Sequence, residues 1–212
     1  IEIGCGKGEF LHLLCALGEN RGLGFDPAYV EAREQQVKGK DVEIVADYFS
    51  PRYNVQDADF VVCKMTLEHI SETGAFLGEI RGSVVGSDDT VVFIQVPEST
   101  RIFRDCAFED IYYEHCSYFT ATSLAQLLEA VGFRVSRTAV TYGDQYLTVE
   151  ARYGGGGETA SRGTPAATAE WLAEVATFPV RVAEKIAAWR GDIEGRVSDG
   201  QRVAIWGSGS KG

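Results

Sequence analysis

The chain has 212 residues, 45% of them hydrophobic and 24% charged, an ordinary globular balance long enough to bury a full core. Its net charge of −11 and pI near 4.8 repel phosphate backbones and anionic lipid, so neither nucleic acid nor membrane is expected as a partner. Five cysteines, at 5, 15, 63, 106 and 116, form no CxxC, which argues against a zinc knuckle or a disulfide framework and suits a reducing cytoplasm.

No apolar run approaches the roughly 20 residues of a membrane span. The sequence opens inside a strand at "IEIG", without methionine, and stops after "WGSGSKG", so both ends read as cut and a signal peptide is left undecided. In chain order, "IEI", "GCGKG" and "EFLHLLCAL" read as strand, glycine turn and helix. "RGLGF" is a second strand that stops at Asp26 and Pro27, and a polar helix with Glu31, Arg33 and Glu34 follows. "VEIVA" and "ADFVVC" are the third and fourth strands, the latter buried on both faces by its continuous apolar run. A helix around 71–82 precedes the fifth strand, "TVVFIQV" (90–96).

"TSLAQLLEAVGF" reads as a helix with Thr122 as N-cap and Gly132 at its stop. "FRVSRTAV" and "QYLTVEARY", joined by "TYGD", make a terminal hairpin. The fold expected is α/β, a doubly wound, mostly parallel Rossmann-like sheet with an antiparallel edge. That domain covers 1–153, with a glycine-rich linker at 154–165. A helical connector at 166–200 contains Pro179, which should kink or divide it. Residues 201–212 then begin a second Rossmann-like unit with a strand and a glycine turn.

Glycines at 4, 6 and 8 between a strand and a helix let backbone amides approach a ligand at the helix N-terminus. Asp26, about 20 residues on at the tip of the second strand, suits a ribose hydroxyl. Dinucleotides and S-adenosylmethionine both use this geometry. Glu9 stands where a dinucleotide fingerprint wants glycine or alanine, and Glu2 is awkward beside a pyrophosphate but favourable beside an ammonium and a sulfonium. Asp47 ends the third strand, where it can accept from the adenine amino group. These features favour the methyl donor, and an NAD enzyme is disfavoured.

"EIGCGKGEFL", "GFDPAYVEAR", "ADYF", "CKMTLEHI" and "FIQVPEST", in this order, resemble class I S-adenosylmethionine-dependent methyltransferases. "DIYYEHCSYFT" resembles a more specific segment, that of the nucleotide-sugar C-methyltransferases, which alkylate a carbon next to a ketone. "RVAIWGSGSKG" resembles the opening of that family's C-terminal Rossmann-like domain, and the family also carries an N-terminal zinc-binding module that these residues do not contain. The resemblance implies a cofactor site of Glu2, Gly4, Gly6, Asp26, Pro27, Asp47, Tyr48, Lys64 and Met65. It makes His115 the general base and Tyr112 its assisting tyrosine, with Tyr113 and Glu114 beside them. It further implies a small-molecule acceptor, a nucleotide-linked deoxyketosugar, and leaves the oligomeric state open. Two departures are Tyr113, where the family commonly has histidine, and "YGDQYL" at 142–147, where it tends to "HGGS(L/M)R".

The chemistry suits those residue types. An imidazole titrates near neutral pH and can take a proton from a carbon acid, and phenols can donate to an enolate oxygen. Transfer to oxygen or nitrogen of another metabolite, and a non-catalytic methyltransferase-like binding subunit, stand as alternatives. Glu68 and His69 in "TLEHI" read mainly as a helix start, with a cofactor-lining role as the lesser reading. His12 reads as a core residue, and Trp171, Trp189 and Trp206 as inter-domain packing. The three histidines are too scattered along the chain to read as a metal site, so no metal is expected. Gly207, Gly209 and Gly212 spell a weak second GxGxxG, and Ser208 lacks a nucleophile elbow.

Overall fold

The computed structural model describes residues 1–30, 41–53, 55, 58–83, 89–153 and 165–206. The expected helix with Glu31, Arg33 and Glu34, nearly all of the linker and the second glycine motif lie outside these residues. The chain divides into two units, Ile1–Glu98 with His115–Arg162, and Ser99–Glu114 with Gly163–Gly212. The segment at 99–114, which the sequence places with the first domain, thus groups with the helical connector.

The first unit is a seven-stranded sheet in the order β3-β2-β1-β4-β5-β7-β6. Its strands are β1 (Glu2–Ile3), β2 (Gly22–Phe25), β3 (Val42–Val45), β4 (Phe60–Lys64), β5 (Val91–Pro97), β6 (Arg134–Thr141) and β7 (Tyr146–Arg152). The first five run parallel, and the hairpin β6–β7 joins antiparallel through β7. This is the expected α/β architecture with its antiparallel edge. Strand order reverses between β1 and β4, which opens a crevice beyond their carboxyl ends.

Period-2 patterning builds the core. Val92, Ile94 and Val96 of β5 are fully buried, and in register they face the equally buried Ala151, Val149 and Leu147 of β7. Val61, Val62 and Cys63 are buried in succession, as a central strand covered on both faces requires. The covering helices are α1 (Glu9–Ala16), α2 (Thr73–Ser83) and, in this unit, a further helix at Ala121–Val131. α1 turns Leu11 and Cys15 inward, one turn apart. It packs close because β2 carries glycine: a Cβ on Gly24 would fall 2.8 Å from Cys5 Sγ and 3.1 Å from Leu11 Cδ2. His12 is half-buried on this helix, so it is less a core residue than its apolar neighbours suggest.

The helix at Ala121–Val131 begins two residues earlier than expected. Its N-cap is Thr120, not Thr122: Thr120 Oγ1 accepts from the Ser123 N–H at 3.1 Å while Ser123 Oγ accepts from the Thr120 N–H at 2.9 Å. Two otherwise orphaned donors are satisfied reciprocally. Gly132 ends the helix at φ 98°, as its position predicts. Thr120→Ala is expected to cost about 1 kcal/mol of stability, to be checked by urea unfolding, whereas Thr122→Ala should be close to neutral.

The second unit pairs a short helix, α3 (Ser99–Arg104), with a long one at Pro165–Ser198. The long helix is α5, and the helix at Ala121–Val131 in the first unit is α4. α3 has no counterpart in the sequence reading. Its last two carbonyls are satisfied by α5, where Arg181 donates to Phe103 O at 2.6 Å and Arg104 O at 3.1 Å, and Lys185 donates to Cys106 O just beyond the helix at 2.8 Å. Trp171 meets Phe103 edge-on at 5.2 Å and Trp189 meets Phe108 at 5.8 Å, so both tryptophans pack within this unit.

α5 runs on through Pro179 as one element, so the proline does not divide it. Residues 201–206 form no strand, contrary to expectation, and Trp206 is fully exposed. An extended segment becomes a strand only where a neighbour meets its backbone N–H and C=O groups, and none of the described residues does so here.

Candidate active site

The crevice is framed by the turns that follow the parallel strands. After β1, Gly4 lies at φ 72° and donates its N–H to Phe25 O at 2.8 Å. A Cβ there would sit 2.1 Å from Thr66 Oγ1, so only glycine allows the β1 and β4 turns to close on each other. Space around Gly6 is open among the described residues, none of which comes within 4 Å of where a Cβ would be. The Gly6 N–H donates to Asp26 Oδ2 at 2.8 Å, and Asp26 Oδ1 accepts from the Ala28 N–H at 2.8 Å. Each Asp26 oxygen therefore has one bond to its own loops and keeps lone-pair capacity for a ligand.

Asp47 is more heavily engaged. Its Oδ1 accepts from the Tyr48 N–H at 2.8 Å, and its Oδ2 from the Tyr53 hydroxyl at 2.5 Å while pairing with Arg52. Its spare capacity for an adenine amino group is narrower than the sequence suggests. Pro27 and Tyr48 are exposed on the same rim. Lys64 is half-buried with Nζ 5.4 Å from the Phe10 ring centroid. Met65 takes φ 53°, rare for a non-glycine residue, and donates its N–H to Gln95 O at 2.8 Å. Strain of this kind gathers at ligand sites.

Glu2 is 2% exposed, and its Oε2 finds no hydrogen-bond partner among the described residues. Burial pushes its carboxyl up to about 7, partly offset by the Lys64 charge. A buried carboxylate with a spare oxygen beside the glycine turn is what an incoming cation would satisfy.

Beyond β4 the chain makes a single 3₁₀ turn, Leu67–His69. Glu68 is fully buried, and neither of its carboxyl oxygens meets a donor among the described residues. Burial raises its proton affinity, with the His69 and Lys64 charges acting the other way. Glu68 O accepts from the N–H groups of Cys116 at 2.8 Å and Ser117 at 3.2 Å, and Cys116 Sγ lies 3.5 Å from His69 O. This main-chain hitch, with the bridge between Glu98 and Phe119, carries His115 to the end of β4. Its ring meets that of His69 edge-on at 4.8 Å and that of Tyr118 at 5.9 Å. His115 is half-buried and His69 exposed.

Tyr112, Tyr113 and Glu114 belong to the second unit. Tyr112 is half-buried, and Tyr113 and Glu114 are exposed. Sequence reading undervalued Glu68 and did not single out Thr66. The available signal was their place just past β4, where the strand order reverses.

A family model described as a methyltransferase domain matches residues 1–138. The chain belongs to this family. Among curated proteins, the C-methyltransferase NovU of Streptomyces niveus is 28% identical over 231 residues, covering 100% of this chain and 53% of that protein. The chain therefore spans about half the length of the curated relative it matches. Among solved structures, magnesium protoporphyrin IX methyltransferase from Synechocystis PCC 6803, with bound SAH, aligns at TM-score 0.52 and 15% identity over 72% of this chain and 73% of that one. The N,N-8-amino-8-demethyl-D-riboflavin dimethyltransferase of Streptomyces davawensis aligns at TM-score 0.55 and 17% identity, covering 72% of this chain and 48% of that one. At these identities the likeness is one of fold.

S-adenosylmethionine is the cofactor of this methyltransferase family, and the crevice fits it. The fit rests on the open cradle at Gly6, the spare oxygen of buried Glu2 and the lone pairs left on Asp26. Glu2 would take the cationic end and Asp26 the ribose. Bound there, the cofactor supplies an electrophilic methyl group on a sulfonium.

Glu2 gives the domain a pH signature. Its folded pKa lies above that of an unfolded glutamate, so between about 4.5 and 7 the folded state holds a proton that the unfolded chain has released. Stability from this group is thus full at low pH and is lost as pH rises through about 7. With Glu2 holding the cationic end, cofactor affinity would run the opposite way, because only an ionised carboxylate pairs with a cation. S-Adenosylmethionine should bind more tightly as pH rises through about 7, with proton release on binding below it. Calorimetry in two buffers of different ionisation enthalpy checks this, and Glu2→Gln should abolish the proton release.

Proposed function

We propose that this methyltransferase domain belongs to an enzyme that methylates carbon on a nucleotide-linked deoxyketosugar, with His115 as general base. One observation carries the reading: the backbone hitch to Glu68 delivers an imidazole to the end of β4, two residues beyond the threonine that closes over the glycine turn. A half-buried imidazole there suits removal of a proton next to a ketone. The similarity to a C-methyltransferase over the whole chain supports carbon as the acceptor.

In this reading His115 takes the proton and the substrate becomes an enolate. Its carbon attacks the methyl group as the methyl–sulfur bond breaks, and S-adenosylhomocysteine leaves. Tyr112, with Tyr113 beside it, is assigned to steady the enolate oxygen, and Glu114 to orient the imidazole. Pro27, Tyr48, Asp47, Lys64 and Met65 are assigned to the cofactor rim with Glu2, Gly4, Gly6 and Asp26. The protein is taken to work in the cytoplasm.

Solvent deuterium exchange tests the reading. Incubated in D₂O with candidate nucleotide-linked ketosugars, the full-length protein should wash deuterium into the carbon next to the ketone, even before any methyl is transferred. Methylation of a metabolite oxygen or nitrogen with no such exchange would replace carbon-acid chemistry by heteroatom transfer. Binding of S-adenosylhomocysteine with neither exchange nor methylation of any acceptor would make the chain a binding subunit.

A further inference from the structure

The sequence scatters its histidines, yet the fold collects two of them with a glutamate. Donor atoms of Glu68, His69 and His115 all lie within 4.8 Å of one another. The Glu68 carboxylate is fully buried and meets no hydrogen-bond donor among the described residues. An ionised carboxylate in that position is strongly disfavoured unless a cation or donor compensates it. Exposed His69 leaves the remaining side of the cluster open to solvent.

We propose that Glu68, His69 and His115 bind one divalent first-row transition ion such as zinc, with water or an acceptor oxygen completing its shell. Two imidazoles and a carboxylate are borderline donors suited to these ions rather than to magnesium or calcium. Ligands at about 2.0–2.2 Å from such an ion stand roughly 3–4 Å apart, so the set must draw in by about 1 Å. Rotation of the exposed His69 ring can supply most of that. The hitch between Cys116, Ser117 and Glu68 O ties together the two backbone segments that carry the other two ligands, so little chain entropy is lost on closure.

One consequence rests on the function proposed above. A metal-bound imidazole has no lone pair for a carbon-bound proton. The ion and the base role of His115 therefore exclude each other, and the ion is a reversible inhibitor of methyl transfer.

Cobalt(II) titration followed by visible absorption tests the site directly. Wild-type protein should bind one equivalent with saturable d–d bands, and zinc should displace it. His69→Ala, on the surface, and Glu68→Gln should each weaken binding by about tenfold or more, with S-adenosylhomocysteine binding retained as evidence of folding. Cys116→Ser should bind cobalt as wild type does. Absence of one-equivalent binding, unchanged affinity in His69→Ala and Glu68→Gln, or loss of binding in Cys116→Ser would each overturn the proposal. Its failure is separable from that of the base reading. A protein that binds no cobalt yet loses methylation in His115→Ala keeps the base, whereas one that binds cobalt and methylates normally in His115→Ala keeps only the metal site.

Discussion

Replacing His115 with alanine should lower methyl transfer to the true acceptor by about 10²–10⁴-fold, the usual contribution of a positioned general base. Affinity for S-adenosylhomocysteine should stay within about threefold, because the glycine turn and Asp26 are built from β1 and β2 rather than from the 110–120 stretch. The same variant should lose deuterium wash-in by a comparable factor, since proton removal precedes transfer. The discriminating feature is the split between binding and turnover. A structural histidine whose loss unsettles the loop would weaken both together. A variant that exchanges and methylates at the wild-type rate shows that His115 is not the base. Tyr112→Phe, which removes a hydroxyl but keeps the ring, should reduce turnover less and leave cofactor affinity unchanged.

Asp26→Ala should weaken S-adenosylhomocysteine binding by roughly 100-fold, read by calorimetry. Two effects combine. The carboxylate holds the Gly6 and Ala28 N–H groups at 2.8 Å, fixing the glycine turn. Its remaining lone pairs are the acceptor assigned to the ribose. Hydrogen bonds to a charged group contribute about 1.5–3 kcal/mol each, so losing one ligand bond and part of the turn's order amounts to about 3 kcal/mol or somewhat less. Asp26→Asn keeps one good acceptor and should lose less. Unchanged affinity in Asp26→Ala would remove Asp26 from the cofactor site.

The order of elements was legible because each β-strand of the first unit has its own local pattern, and the fold class follows from their alternation with helices. Boundaries were less so. The cap of α4 fell on Thr120 rather than Thr122 because Ser123 can reciprocate only with the former, a pairing that becomes distinctive only in three dimensions. α3 was missed because six residues give too short a window for period 3.6, and its last carbonyls are satisfied by Arg181 from far along the chain. Residues 201–206 carry a strand-like pattern but have no strand beside them among the described residues, and pattern alone does not make a ladder.

The glycine turn and Asp26 were readable because their spacing reflects a rigid local geometry. The cluster at Glu68 was not. His69 and His115 lie 46 positions apart in sequence, yet their rings stand 4.8 Å apart. What joins them is a pair of backbone hydrogen bonds to Glu68 O, which leave no residue-type signature.

That anonymity shapes how the protein can vary. Cys116 adds a side-chain contact from its Sγ to His69 O, whereas the two bonds to Glu68 O use only peptide N–H groups, so position 117 can vary widely while the neighbouring imidazole keeps its station. Proline alone, having no N–H to offer, would cast it loose.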